Sequence, residues 1–586
     1  MPNVFRLYLI KPSHYDKDGY VIQWWRSFIP ANTLAALNGL ALDCIERKVL
    51  GPDVEIRVTC SDETNTRIRP DVIAREIRES GGNGLVALVG VQTNQYPRAM
   101  DIARPLRAAG VQVAIGGFHV SGVIAMLPEV PQELKDAMAL GVTLFAGEAE
   151  GRLDEILQAA YAGKLEPLYN FMKDLPGMEG TPTPYLSAEV VKRTAGMRTS
   201  FDAGRGCPFL CSFCTIINVQ GRKSRSRSAD DVETLVRANL EQGVHSFFIT
   251  DDNLARNQNW EPIFDRLIEM REKEGLKIRI IAQVDTAAHK IRHFIEKASR
   301  AGVNRVFIGL ENINPDNLKE AHKGQNRITE YRAMLQAWHN VGTLTYAGYI
   351  LGFPGDTPKS IERDIRIIQK ELPIDLLEFF LLTPLPGSAD HKRMHLAGVP
   401  MAQDLNKYDL VHVTAPHETM SAEKLFEVYD RAWDLYYSPE HVERIIRRTR
   451  SWGFPHHEMM LKLLTFYASW RLEGVHPLES GFLRRKYRRD RRPSFKRESL
   501  FVFYPKYWFG IAKTYFDFAV MYAQHRKIMK RALETDAPYE DVAMKPVGQE
   551  ELDALELYTQ TSGAKAVVEK QKKIKISVVT HKAVEA

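Results

Sequence analysis

The sequence predicts an α/β protein: a doubly wound parallel sheet, then a second run of βα units forming an open barrel, then a mainly helical region. Three observations carry this. Strand-length apolar runs alternate with amphipathic helical periods over the first 165 or so residues. The alternation restarts after a Pro- and Gly-containing stretch at 173–184, and from about Met401 the pattern turns helical and aromatic, without clear strands. The expected organisation is a first domain 1–165, a linker 166–195, a barrel 196–400, and a helical region 401–546 covering the barrel's open side. A tail, 547–586, is expected to be mostly disordered, because apolar density falls there and lysines accumulate.

Taken in order, the first-domain strands are 4–10, 54–59, 85–91, 111–115 and 142–145. Helices lie between them, for example 33–44 after a cap at Asn32, and 98–109 ending at Gly110. Ligands of such sheets bind beyond the carboxyl ends of the strands. The segments there are 11–13, 92–94, Gly116-Gly117-Phe118-His119 and Gly147-Glu148. The barrel strands are 200–205, 246–250, 278–283, 305–309, 345–350 and 376–382. Val232, Leu235, Val236 and Leu240 fall on one helical face behind a Ser228-x-x-Asp231 cap signal, and Ile361, Ile365, Ile368 and Leu372 repeat the pattern. Six βα units suggest a partial barrel whose functional groups gather at the carboxyl ends of its strands.

Composition narrows the function classes. The N-terminus has no signal-peptide pattern, and no segment offers roughly 18 uninterrupted apolar residues. The nearest, 507–523, is broken by Lys513 and Asp517. Few cysteines, mostly clustered, suit a reducing cytoplasm. The net charge of +6 is local: residues 481–500 carry nine Lys or Arg against two acids, leaving the remainder near −1.

Chemistry concentrates in Arg205-Gly206-Cys207-Pro208-Phe209-Leu210-Cys211-Ser212-Phe213-Cys214. Three thiolates this close suit a metal centre better than disulfides, and cluster iron takes soft thiolate ligands. A Cys-x3-Cys-x2-Cys loop can wrap three corners of a four-iron four-sulfur cube and leave one iron open. Zinc is the competing metal, but a structural zinc site calls for a fourth Cys or His, and the nearest histidine in sequence is His245.

The loop, its preceding Arg205-Gly206 and the six βα units resemble the radical S-adenosylmethionine (SAM) enzymes over about residues 197–388. The resemblance implies a 4Fe-4S cluster on Cys207, Cys211 and Cys214, with SAM at the open iron. Phe213 matches the aromatic near the adenine. Asp251 and Asp252, in Thr250-Asp251-Asp252-Asn253, match the segment near the methionyl group, and Gly309-Leu310-Glu311 brings Glu311 to the end of the fourth strand. Tyr349 and Gly352 lie in Gly348-Tyr349-Ile350-Leu351-Gly352-Phe353-Pro354-Gly355-Asp356-Thr357, which resembles the family's glycine-rich fifth strand. Thr383-Pro384-Leu385-Pro386-Gly387 closes the sixth. Read without the resemblance, Gly352 and Gly355 are turn glycines, Asp251 and Asp252 caps, and Arg222, Lys223, Arg225 and Arg227 a basic stretch open to nucleic acid.

The first domain resembles the Rossmann-like cobalamin-binding module that precedes many such barrels. The matching residues are Gln92 and Thr93, Gly116, Gly117 and His119, and Gly147 and Glu148. The loop 11–16, Lys-Pro-Ser-His-Tyr-Asp, departs from the Asp-x-His-x-x-Gly pattern that supplies a cobalt ligand in the mutases, so cobalamin without a histidine lower ligand is expected. The implied activity is reductive cleavage of SAM and methylation of an unactivated carbon of a lipid or other small molecule, with a flavodoxin or ferredoxin as electron donor. A cyclase or ring-rearranging enzyme with the same cofactors is the second reading. A membrane- or RNA-associated binding protein with a residual cluster is the third. The basic and aromatic stretch 481–509 would serve peripheral membrane contact or, less favoured, nucleic acid.

Overall fold

The computed structural model describes residues 3–534, 540–546, 548, 552 and 554–584. Two parallel sheets dominate. The first has strands β1 (Asn3–Lys11), β3 (Val54–Asp62), β4 (Gly84–Leu88), β5 (Gln112–Gly116), β6 (Thr143–Ala146) and β7 (Leu168–Asn170), in the order β3-β1-β4-β5-β6-β7. β2 (Gln23–Ser27) leaves this sheet. Both faces are covered by helices, so strands read as continuous apolar runs: Phe5, Leu7, Tyr8, Leu9 and Ile10 are all buried. The helices of this unit include α1 (Asn32–Glu46), α2 (Phe118–Met126) and α3 (Leu153–Tyr161). The expected cap at Asn32 is not made. Ala31 occupies the cap position without a side-chain bond, and Asn32 reaches Asp202 of the second unit at 3.4 Å.

The second sheet runs β8 (Arg198–Phe201), β9 (Ser246–Ile249), β10 (Arg279–Val284), β11 (Val303–Glu311), β12 (Leu344–Leu351) and β13 (Leu376–Leu381), in that spatial order and parallel throughout. Sequential order in an open parallel sheet is a partial barrel. α4 (Ala229–Glu241) begins with the predicted reciprocal cap between Ser228 and Asp231, and buries Val232, Leu235 and Val236. α5 (Pro358–Glu371) is capped by Thr357 and buries Ile361, Ile365 and Ile368.

α6 (Ala422–Tyr436), α7 (Pro439–Trp452) and α8 (His456–Glu473) cover the barrel and share one apolar cluster with its strands through Tyr429, Trp433, Ile445 and Met460. Two expectations fail here. The region beyond Met401 does contain a strand: β14 (Gly481–Arg485) pairs antiparallel with β2. Its partner lies at the other end of the chain, so no local pattern announces it. The tail is not disordered where it is described. Leu557, Tyr558, Ala564 and Val568 are buried in the barrel's cluster, and helix α10 spans Ser562–Val584, after the long α9 (Leu500–Glu534). The Glu371 carboxylate accepts the Glu556 and Leu557 N–H groups at 3.0 and 2.9 Å. A few well-spaced apolar side chains suffice for docking despite the lysines. The parts of that expectation at 547, 549–551, 553, 585 and 586 lie outside the described residues. No described helix is long and apolar enough to cross a membrane.

Candidate functional site

The cysteine loop leaves the carboxyl end of β8. It is closed at its base by an antiparallel pairing of Gly204-Arg205 with Arg225-Ser226. Cys207, Cys211 and Cys214 are all free thiols. The loop is tight: Cys214 N–H donates to the Cys211 carbonyl and Cys207 N–H to that of Gly221, both at 3.2 Å. Gly206, at φ +94°, has no room for a side chain, because a Cβ would stand 2.5 Å from the Lys223 carbonyl oxygen.

Asp251 and Asp252, expected beside the cofactor, hold this backbone. Asp251 Oδ1 accepts the Ala203 and Gly204 N–H groups at 2.7 and 2.8 Å, and its Oδ2 accepts from Asn257 at 2.8 Å. Asp252 accepts from Gly206 N–H at 2.8 Å. Burial pushes both carboxyls up to about 7. Glu311 ends β11 in the left-handed region, at φ +62°, where the register with β12 also shifts. A non-glycine residue held there stores strain, a common mark of a working site. Its carboxylate pairs with Lys323, whose ammonium lies 5.8 Å over the Phe213 ring. Gln325 reaches Cys211 Sγ at 3.5 Å. Two expected contacts fall elsewhere. Tyr349 points into the helical layer, buried, with its hydroxyl 3.4 Å from Asp364. Gly352, at φ +90°, is a turn glycine whose N–H bonds Asp356 at 3.0 Å.

Burial raises the Cys207 thiol and lifts Cys214 to about 12. Three soft thiol side chains on one loop suit the separate corners of an iron–sulfur cube, one thiolate each.

The loop is clamped to the first domain. Arg205 bonds Glu148 and Glu150, both at 2.7 Å, and Asp202 at 2.6 Å. Arg225 joins Glu148 at 2.9 Å and the Pro176 carbonyl at 2.6 Å. Arg227, fully buried, bonds the Asp202 carbonyl at 3.0 Å and Thr181. The basic stretch is therefore no nucleic-acid surface at Arg225 and Arg227. At the same seam α2 approaches the barrel so closely that a Cβ on Gly122 would stand 2.7 Å from the Pro386 carbonyl oxygen.

Beside the clamp lies a mainly apolar cavity of about 180 Å³. Leu7, Leu9, Ala87 and Ala114 floor it from the sheet, and α1 and α3 wall it. Its mouth is formed by Gly116, Gly117, Gly147 and Glu148 on one side and Arg205, Val219 and Gln220 on the other. Its apolar floor with a polar rim at Glu148, Glu150, Asp202 and Arg205 could receive the apolar base and polar linkage of a cobalamin nucleotide tail. No histidine lines it. The glycines serve the protein itself: a Cβ on Gly117, at φ +143°, would meet the Val91 nitrogen at 2.2 Å. Three expected contacts lie outside the cavity. Gln92 is exposed, and its N–H bonds the Gln95 side chain at 3.1 Å. Thr93 and His119 are buried and bonded to each other at 3.2 Å. His119 also packs 4.5 Å from Tyr96, and burial, helped by His391, holds it down to about 3. It is a packing residue. Asp202, Lys323 and Gln325 were invisible to sequence reasoning, because nothing local marks them.

A profile described as the Radical SAM superfamily matches residues 202–368. The chain is 29% identical over 362 residues to bacteriochlorophyllide d C-12(1)-methyltransferase of Chlorobaculum tepidum, covering 60% of this chain and 74% of that one. It is 25% identical over 334 residues to hopanoid C-2 methylase of Rhodopseudomonas palustris, covering 56% and 60%. Among solved structures, the cobalamin-dependent SAM radical enzyme OxsB with aqua-cobalamin and SAM bound superimposes at a TM-score of 0.52 and 12% identity, over 92% of this chain and 82% of that one, a likeness of fold.

Proposed function

We propose that the chain is a radical SAM enzyme that methylates an unactivated carbon of a lipid or other small-molecule substrate, using SAM, a 4Fe-4S cluster and cobalamin. One observation carries this reading: the apolar slot of the first domain opens against the base of the cysteine loop, with Arg205, Val219 and Gln220 as shared wall. Cys207, Cys211 and Cys214 would hold the cluster. Phe213, Glu311 and Lys323 would border SAM. Gly116, Gly117, Gly147 and Glu148 would border the cobalamin. When bound, these groups supply hydrogen-atom abstraction and a methyl group to transfer.

The chain's own residues supply position. Asp251 and Asp252 fix the backbone on which the cysteines stand. Arg205 ties that backbone to Glu148 and Glu150, setting the distance between the two sites. The helices over the barrel keep water out. The names of the two relatives, both methylating enzymes, support transfer of a methyl group to carbon. A one-electron donor of the flavodoxin or ferredoxin class completes the reading.

The test is anaerobic reconstitution with iron, sulfide and cobalamin, followed by incubation with SAM and a strong reductant. Expected are bound iron, sulfide and cobalt, and 5′-deoxyadenosine that Cys211→Ala abolishes. Stoichiometric zinc without sulfide would overturn the cluster. Cobalt that never co-purifies would overturn the methyl-donating half. Substrate turnover without S-adenosylhomocysteine would favour the ring-forming reading.

A further inference from the structure

α9 is apolar on two sides. Its inner side is anchored: Phe503 is buried, stacks on Tyr507 at 5.8 Å and meets Tyr20 at 5.5 Å, while Tyr522, Ile528 and Met529 pack on the barrel's cluster. Its outer side faces solvent. Phe501 is 91% exposed, Phe509 72%, Phe516 69% and Trp508 63%. Helical spacing sets Phe501, Trp508, Phe516 and Ala523 along one stripe about 33 Å long. The patch widens over Phe482 and Trp25, both exposed: Phe482 lies 6.1 Å from Tyr515 and 5.9 Å from Trp25. Most exposed large apolar side chains of the described chain lie between Phe495 and Val520. A soluble surface rarely gathers so many.

Charge identifies the occupant. Residues 484–531 hold fifteen Lys or Arg against three acids. Arg489, Lys496 and Arg497 are exposed before the stripe, and Arg526, Lys527 and Lys530 after it. The expected contact surface, 481–509, is only partly available, since Arg484 and Lys486 pair with Asp16, and Arg492 with Asp404. We propose that the outward face of α9 docks on an anionic lipid bilayer, with the helix lying in the headgroup plane and the flanking cations on lipid phosphates. Aromatic rings suit that boundary, where one end of a side chain is apolar and the other wet. A second copy of the chain is the disfavoured occupant, because a two-fold pairing of this face would set cations against cations.

The test uses the reconstituted full chain and sedimentation with phosphatidylcholine vesicles carrying about a quarter phosphatidylglycerol, against phosphatidylcholine alone. Binding is expected to the anionic vesicles. The triple variant W508S/F509S/F516S should weaken it at least about tenfold. The variant R489E/K496E/R497E should erase the preference for anionic vesicles. Brominated acyl chains should quench a fluorescence component absent from Trp508→Phe. All substituted side chains are exposed, so circular dichroism and iron content should stay unchanged. Absence of vesicle binding by the parent protein overturns the proposal. So does sedimentation-velocity dimerisation that the triple variant abolishes while no protein reaches the vesicles, which would make the face a self-association surface.

Discussion

Two basic runs, 222–227 and 484–497, look alike in the sequence and behave oppositely in the fold. Arg225 and Arg227 are sealed between the two sheets, where Glu148 and Asp202 meet them. Arg489, Lys496 and Arg497 stand in solvent without ion pairs among the described residues. Arg484 is intermediate: buried over Trp24 at 5.0 Å, with Asp16 as counter-ion. The difference is made by remote carboxylates. Glu148 comes from the loop after β6, and Asp202 from the end of β8. A buried guanidinium is tolerated only where such partners arrive, and an exposed one needs none. Local charge density therefore says little about whether an arginine is a clamp or a docking point.

The clamp gives the largest expected effect. Glu148 serves both Arg205 and Arg225, so Glu148→Ala leaves Arg225 without its carboxylate and Arg205 with Glu150 and Asp202 only. We expect a loss of about 2–3 kcal/mol from unfolding stability and a lower iron content after reconstitution. Denaturant midpoints and iron analysis check this. A variant as stable as the parent would show that the clamp does not hold the two sheets together.

The same side chain without a cation makes the converse case. Glu378 on β13 is fully buried, and neither carboxylate oxygen has a hydrogen-bond partner among the described residues. Burial pushes it up to about 8. The unfolded chain loses this proton near the usual glutamate value of 4.5 while the folded chain keeps it. Between those values the unfolded state binds fewer protons, so this residue makes stability fall as pH rises, with no further change above the folded value. Glu378→Gln should flatten that decline. Unfolding midpoints from about pH 5 to about pH 8 measure it, and parallel profiles for parent and variant would show that Glu378 finds a counter-charge after all.

The architecture was legible where the signal is local. Six barrel strands and the Ser228–Asp231 cap follow from apolar period and short-range chemistry, and both occur. The cysteine loop was legible because its three cysteines sit within eight residues of one another. Legibility failed where partners are remote. β14 needs β2, and Arg205 needs Glu150. Tyr349 was misplaced for a subtler reason: adjacent strand residues face opposite ways, and a one-residue difference decides lumen or helix layer. His119 follows the paired glycines as a ligand would, yet its side chain turns into the packing against Tyr96.

The smallest effects belong to the second run, and they separate its members. Asp16 accepts the Tyr20 N–H at 2.8 Å and pairs with Arg484 and Lys486. Burial alone would raise its carboxyl, but Lys486 and Arg484 outweigh that and hold it below the usual value of 3.8. Its contribution is present above that value and lost as pH falls through the depressed one. Asp16→Asn keeps an acceptor for Tyr20 and leaves Arg484 on Trp24, so about 1–2 kcal/mol should go at neutral pH, with the gap closing in acid. Arg489→Ala and Lys496→Ala should stay within about 0.5 kcal/mol of the parent at every pH, since water already solvates both cations. If those two variants cost as much as Asp16→Asn, the exposed cations have partners within the fold, and the contrast between clamp and docking surface collapses.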